Sequence, residues 1–237
     1  MNINKLRVVS IFLSVQGECN IWGQGTWAVF VRIFNCNLAC SFCDSSYTYD
    51  KDTETIEMSA QEIMDNVRSI GEGCRHITLT GGEPLMSQNK ETLKEFFSLC
   101  EQNGYRISIE TNGVESFVEY LDNQYISIVA DYKPLSLGKT ITDRIRIEQF
   151  YKLRTTDFVK FVIADKNDFA NSVFTVEELR KHGCKAKMYF SPCIGKMSPE
   201  YLFKLMKHIS VHSLDINYNF PIHKAIFPEN DWRKEEK

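Results

Sequence analysis

Short apolar runs of strand length alternate with helical runs along most of this chain, which limits it to βα units and a largely parallel sheet. The strand-like runs are Thr26–Phe34, His76–Thr80, Tyr105–Glu110, Ile126–Asp131, Phe158–Ala164, Lys187–Ser191 and Leu214–Tyr218. The helical runs are Ser59–Ile70, Lys90–Asn103, Val114–Leu121, Thr175–His182 and Pro199–His208. Ser59 ahead of Gln61, Glu62 and Ile63 has the form of a helix N-cap with an acidic first turn, and Thr175 ahead of Val176-Glu177-Glu178 has the same form. Phe158–Ile163 is nearly apolar throughout, as strands covered on both faces are.

In parallel sheets of this kind, ligands collect at the carboxyl ends of the strands. The polar signatures of this chain fall there. Thr80-Gly81-Gly82-Glu83-Pro84 follows one strand, Glu110-Thr111-Asn112-Gly113 the next, Asp131-Tyr132-Lys133-Pro134 the one after, and Ser191-Pro192 a later one. Neither glycine of Gly81-Gly82 has a Cβ, so a ligand can approach the backbone closely there. The usual phosphate-binding glycine patterns are missing.

Composition narrows the class further. With 237 residues, 43% of them hydrophobic, the chain can build one sizeable core, and we expect a single domain over 1–237. A net charge of −3 gives no basic excess for nucleic acid. No apolar run is long enough to span a bilayer, and no signal-peptide pattern follows Met1–Val8. The expected location is the cytoplasm, with no membrane and no nucleic-acid partner.

Of eight cysteines, only Cys36, Cys40 and Cys43 lie close together, as Cys-x-x-x-Cys-x-x-Cys directly after a strand-like run. Three thiolates so placed can hold three irons of a [4Fe-4S] cluster and leave the fourth open to a ligand. Three plainer readings stay open on the residues alone: a helix face, a zinc site completed by Asp44 or Cys19, and a redox pair from Cys40 and Cys43. The other five cysteines read as small buried hydrophobes.

The cysteine array followed by Gly81-Gly82-Glu83-Pro84 resembles the radical S-adenosylmethionine (SAM) superfamily. Four further segments are similar to the 7-carboxy-7-deazaguanine synthase family: Phe12-Leu13-Ser14-Val15-Gln16-Gly17-Glu18, Phe30-Val31-Arg32, Cys43-Asp44-Ser45, and Phe220-Pro221-Ile222-His223-Lys224. The similarity runs from about Val8 to about Phe227. It implies an α/β fold of radical SAM type, a partial (β/α) barrel of mostly parallel strands with a reduced number of helices.

It also implies an activity. Such a carbon–nitrogen lyase uses a [4Fe-4S] cluster, S-adenosyl-L-methionine and Mg2+. An adenosyl radical takes hydrogen from 6-carboxy-5,6,7,8-tetrahydropterin, the ring contracts, ammonia leaves, and 7-carboxy-7-deazaguanine forms for queuosine biosynthesis. The family implies a homodimer and a reductant such as flavodoxin or ferredoxin.

Carried over by the resemblance, Cys36, Cys40 and Cys43 hold the cluster and Ser45 the magnesium. Phe42, Cys43, Asp44, Gly81, Gly82, Glu83, Asp131, Tyr132, Lys133 and Ser191 contact SAM. Val15, Gln16, Gly17, Glu18, Arg32, Thr80, Glu110 and His223 contact the substrate. Arg32 suits its carboxylate, because a guanidinium grips two oxygens at once. No side chain beyond cluster and cofactor is expected to be catalytic. The chain departs from the family at Cys19, where Gln-Gly-Glu is usually followed by glycine, and at Asp131-Tyr132-Lys133. A glycyl-radical activating enzyme shares the cysteine spacing and the Gly-Gly-Glu-Pro turn, and a zinc-binding protein without enzymatic activity is a second alternative.

Overall fold

Leu6–Val15 (β1) and Trp27–Ile33 (β2) pair antiparallel, and Ile56–Met58 (β3) adds to the outer side of β1. His76–Gly81 (β4), Arg106–Thr111 (β5), Ile126–Tyr132 (β6), Phe158–Ile163 (β7), Lys187–Pro192 (β8) and Ile216–Tyr218 (β9) follow. They make one nine-stranded sheet of order β3-β1-β2-β4-β5-β6-β7-β8-β9. From β2 onward every neighbouring pair is parallel and in chain order. These features come from a computed structural model, which describes residues 5–209 and 214–226. Phe227, at the far end of the family resemblance, lies outside them.

Alternation within each strand sorts the chain into two faces. Ile77, Leu79, Ile107, Ile109, Ile128, Ala130, Val159, Phe161, Met188 and Phe190 point outward into the main core. There they meet Ala60–Gly71 (α1), Lys90–Gln102 (α2), Lys166–Lys181 (α5) and Pro199–Ile209 (α6) through Ile63, Val67, Phe96, Val176, Leu179 and Leu202. Burying each such side chain stabilises the fold by roughly 1.5–3 kcal/mol. The intervening residues Arg32, Thr80, Glu110, Asp131, Lys160 and Ser191 line the concave side. Two short helices, Lys139–Thr142 (α3) and Ile147–Phe150 (α4), sit between β6 and β7, and His223–Ile226 (α7) follows β9.

The sheet is an incomplete barrel. The segment after β9 returns to the loop after β1, so loops rather than a strand ladder close the gap. Ile222 N–H donates to Gly17 O at 2.9 Å, Cys19 N–H to Asn219 Oδ1 at 2.9 Å, and Gln24 Nε2 to Phe220 O at 2.8 Å.

Local sequence accounts for most boundaries. Ser59 and Glu62 form a reciprocal capping box at the start of α1, worth about 1 kcal/mol. Three expectations are corrected. Helix α5 begins nine residues before Thr175, capped by Asp165, which accepts Asp168 N–H at 2.8 Å. Thr175 is instead buried within it and donates to Asn171 O at 2.8 Å. The segment 114–121 is not an α-helix; it holds one 3-10 turn at Val118–Tyr120, and Gln149 takes the Phe117 N–H. The antiparallel β1 and β3 had no counterpart among the expected strands. Among the described residues no helix is long and apolar enough to cross a membrane.

Candidate active site

A cavity of about 530 Å³ opens on the concave face at the carboxyl ends of the strands. Cys36, Cys40 and Cys43 lie at one side of it, on the loop after β2. Asn35 starts this loop with φ +79°, a left-handed conformation asparagine tolerates, and its side chain accepts Cys36 N–H at 3.0 Å. Leu38 N–H points at Cys36 Sγ at 3.4 Å, Asn112 Nδ2 at the same sulfur at 3.7 Å, and the Tyr49 hydroxyl hydrogen-bonds Cys43. Burial pushes all three thiols up, while Lys133 acts on each in the opposite direction.

Three half-buried thiols facing one cavity, with donors aimed at the sulfurs and a lysine nearby, fit a cluster. Among the described residues no three His, Cys, Asp or Glu side chains are grouped to hold a single metal ion. A cluster asks something different, one thiolate for each of three irons. Iron must displace the three thiol protons.

Gly81-Gly82 form the turn behind this loop. Gly81 has φ +117°, and a Cβ there would strike the Ile33 backbone. A Cβ on Gly82 would overlap Asn35 O. Glycine is thus required on the protein side, so that the turn can lie flat against the cluster loop: Gly82 N–H donates to Ile33 O at 2.9 Å and Glu83 N–H to Asn35 O at 2.8 Å. The other side of both glycines lines the cavity.

Of the residues named from sequence, Val15, Gln16, Gly17, Glu18, Arg32, Phe42, Asp44, Ser45, Thr80, Gly81, Gly82, Glu110, Asp131, Lys133, Ser191 and His223 line the cavity with the cysteines. Two side chains do not reach it. Glu83 is fully buried behind the turn, where it accepts hydrogen bonds from Leu85 N, Thr111 Oγ1 and Asn112 N. Tyr132 follows the strand alternation onto the helical face and packs on Phe150 and Phe161. Both are expected from sequence to contact SAM; neither side chain lines the cavity.

The cavity is strongly charged. Lys160 Nζ lies between Glu18 Oε2 and Asp131 Oδ1, the latter at 3.1 Å, and Lys133 Nζ is 2.8 Å from Asp131 Oδ2. Burial opposes ionisation of Asp131, but Lys133 and Lys160 outweigh it and hold the carboxyl below its ordinary value. Burial likewise opposes the Lys160 charge, and Asp131, Glu18 and Glu110 outweigh it. Glu110 is pushed up by burial and takes a 2.7 Å hydrogen bond from Thr80 Oγ1. Beside the cysteine loop Lys224 Nζ is 3.2 Å from Asp44 Oδ2, whose neighbour Ser45 donates to Asp44 Oδ1 at 3.2 Å. Burial opposes ionisation of Asp44 too, yet Lys224 and His223 bring it down to about 2. Its side chain is half open, so solvent screens the pair and little stability comes from it.

Lys160 and Tyr49 belong to this site and were not singled out from sequence, while Asn112 and Lys224 were named only within their segments and given no role. Lys160 carried a readable signal: it is the one charge inside the apolar strand Phe158–Ile163.

Comparison with known proteins agrees with this geometry. The sequence profile of the radical SAM superfamily matches residues 30–209. A 7-carboxy-7-deazaguanine synthase of Clostridium acetobutylicum is 32% identical, over 94% of this chain and 97% of its own. The synthase of Leptospira interrogans is 34% identical over 86% of this chain and 89% of its own. The crystal structure of QueE from Escherichia coli superposes with a TM-score of 0.64 at 16% identity, covering 91% of this chain and 93% of that one. Native anSMEcpe with bound AdoMet gives 0.52 at 16% identity, over 77% of this chain and 61% of its own. These two structures establish the fold, and the sequence matches the affiliation: the chain belongs to the radical SAM superfamily and, within it, to the 7-carboxy-7-deazaguanine synthase family.

Proposed function

We propose that this cavity converts 6-carboxy-5,6,7,8-tetrahydropterin to 7-carboxy-7-deazaguanine with loss of ammonia. The observation that carries the reading is the joint placement of Arg32, Glu18, Glu110 and the three cysteines around one cavity of about 530 Å³. That volume suits small ligands. When bound, the [4Fe-4S] cluster supplies the electron that cleaves SAM and so provides a radical able to take hydrogen from the substrate.

The protein's own residues bind and orient. Cys36, Cys40 and Cys43 hold the cluster. The cavity side of Gly81-Gly82 and the Asp131 carboxylate receive the polar end of SAM, and Ser191 and Phe42 flank it. Arg32 grips the substrate carboxylate through two hydrogen bonds. Glu18 and Glu110 accept from the amino and ring N–H groups at the far edge of the pterin. Thr80 fixes the direction of Glu110. Ser45, beside Asp44, would offer a hydroxyl to a magnesium ion that helps to position the substrate. Gln16 is buried against Thr78, and Val15, Gly17 and His223 shape the substrate wall. A low-potential one-electron carrier of the flavodoxin or ferredoxin class supplies the electron.

The test is anaerobic reconstitution, then incubation with SAM, reductant, Mg2+ and the pterin, followed by mass spectrometry. The expected product is 7-carboxy-7-deazaguanine, with SAM regenerated. 5′-Deoxyadenosine alone overturns the substrate assignment and directs the search to a glycyl-radical partner. Cys40→Ala should abolish cluster assembly, and cleavage by that variant at the wild-type rate would overturn the metal assignment.

A further inference from the structure

Lys160 is the least expected residue of the cavity. It interrupts an otherwise apolar strand, its side chain is 10% exposed, and its ammonium sits between two carboxylates from different parts of the chain. Glu18 belongs to the loop after β1, and Asp131 ends β6. Lys133 extends the row from Asp131 toward the cysteines, where it acts on Cys40. The charges alternate in sign: Glu18, Lys160, Asp131, Lys133. In a low-dielectric wall, changing one charge of such a row unbalances its neighbours.

We propose that Lys160 is a positioning residue that couples pterin binding at Glu18 to cofactor binding at Asp131. The inference rests on the proposed function, in which Glu18 faces the substrate and Asp131 the adenosyl cofactor. A ligand that engages Glu18 competes with Lys160 for that carboxylate, and the ammonium then bears more fully on Asp131. The reverse holds when the cofactor engages Asp131. Coupling of this kind is reciprocal, so either ligand sets the position of the row for the other.

The experiment uses the anaerobically reconstituted protein and two unreactive probes, 6-carboxypterin and S-adenosylhomocysteine. The pterin Kd is measured by fluorescence with and without saturating nucleoside. In wild type the nucleoside should change that Kd about tenfold. In Lys160→Met the ratio should fall to about one, and Lys160→Arg should restore most of it. A purely structural lysine would lower the melting temperature and leave the ratio intact. Retention of the wild-type ratio by Lys160→Met, or a ratio of one in wild type, overturns the proposal. If Lys160→Met does not fold, Glu18→Gln cuts the same link from the other end, and an unchanged ratio there overturns it equally. The two readings fail differently: 6-carboxypterin that does not bind wild type sinks the substrate assignment and the coupling with it, whereas tight binding that ignores the nucleoside sinks only the coupling.

Discussion

The Glu83 carboxylate accepts the backbone N–H of Asn112 at 2.7 Å from behind the glycine turn. Asn112 in turn donates to Asn37 Oδ1 at 2.8 Å and lies against Cys36. Glu83 therefore braces the cluster loop through the end of β5.

Glu83→Gln tests this bracing. Two of its partners are backbone N–H groups, Leu85 on one oxygen and Asn112 on the other, so whichever way an amide turns, its NH2 faces one of these donors and takes away that donor's acceptor. Leaving that buried donor unpaired costs about 1–3 kcal/mol. Burial, against the three hydrogen bonds, pushes the Glu83 carboxyl up to about 7. A carboxyl that binds its proton more tightly when folded contributes most below the ordinary carboxylate range and loses that contribution as pH rises through its folded value. The stability gap between wild type and Glu83→Gln should therefore shrink between about pH 5 and about pH 8 in urea unfolding of the cluster-free protein. A gap that widens contradicts the assignment.

Gly17 and His223 make a second close approach. A Cβ on Gly17 would run into the imidazole, and the Ile222 N–H bond to Gly17 O limits how far the chain can retreat. Gly17→Ala should displace His223 and raise the pterin KM about tenfold or more, while SAM cleavage without substrate continues. His223→Ala added to it should recover much of the lost stability, because the two sites are in contact and not additive. Additive losses would show that the clash is relieved some other way.

Arg32 projects from β2 into the cavity with its guanidinium 5.4 Å from the centre of the Phe12 ring. Arg32→Lys keeps the charge and loses the two-point grip on a carboxylate. The pterin KM should rise roughly ten- to a hundredfold, with substrate-free 5′-deoxyadenosine formation unchanged. An unaltered KM removes Arg32 from the substrate site.

The parallel strands were legible as compact apolar runs, four of them end in a polar signature, and those four signatures do meet at one cavity. The failures have particular causes. Tyr132 was placed with Asp131 and Lys133 because they are adjacent in sequence, whereas a strand sends neighbours to opposite faces. Thr175 resembled a cap, but Asp165 with Asp168 three residues later is the better one, and it was hidden by a helix start poor in apolar spacing. Lys160 was absorbed into an apolar average. Leu6–Val15 carries a usable apolar run, but antiparallel pairing with β2 is a property of the partner and not of the run itself.

Cys19 stands where the family resemblance leads us to expect a glycine after Gln-Gly-Glu, and the backbone at this position accommodates a side chain. Among the described residues the non-glycine positions with positive φ are Asn35, Glu72 and Asp215, so Cys19 needs no left-handed backbone. Its side chain is buried with Val129 and Phe158 and packed by Ile21 and Tyr189. Burial pushes the thiol far above its ordinary value, which keeps it protonated, a poor nucleophile and a poor iron ligand. Cys19→Ala should cost about 1–2 kcal/mol of packing and leave product formation per folded enzyme unchanged. Alkylation of the native cluster-free protein should modify Cys36, Cys40 and Cys43 well before Cys19. A folded Cys19→Ala variant that no longer makes product would place this residue in the substrate site, and the departure from glycine would then mark a change in what the cavity accepts.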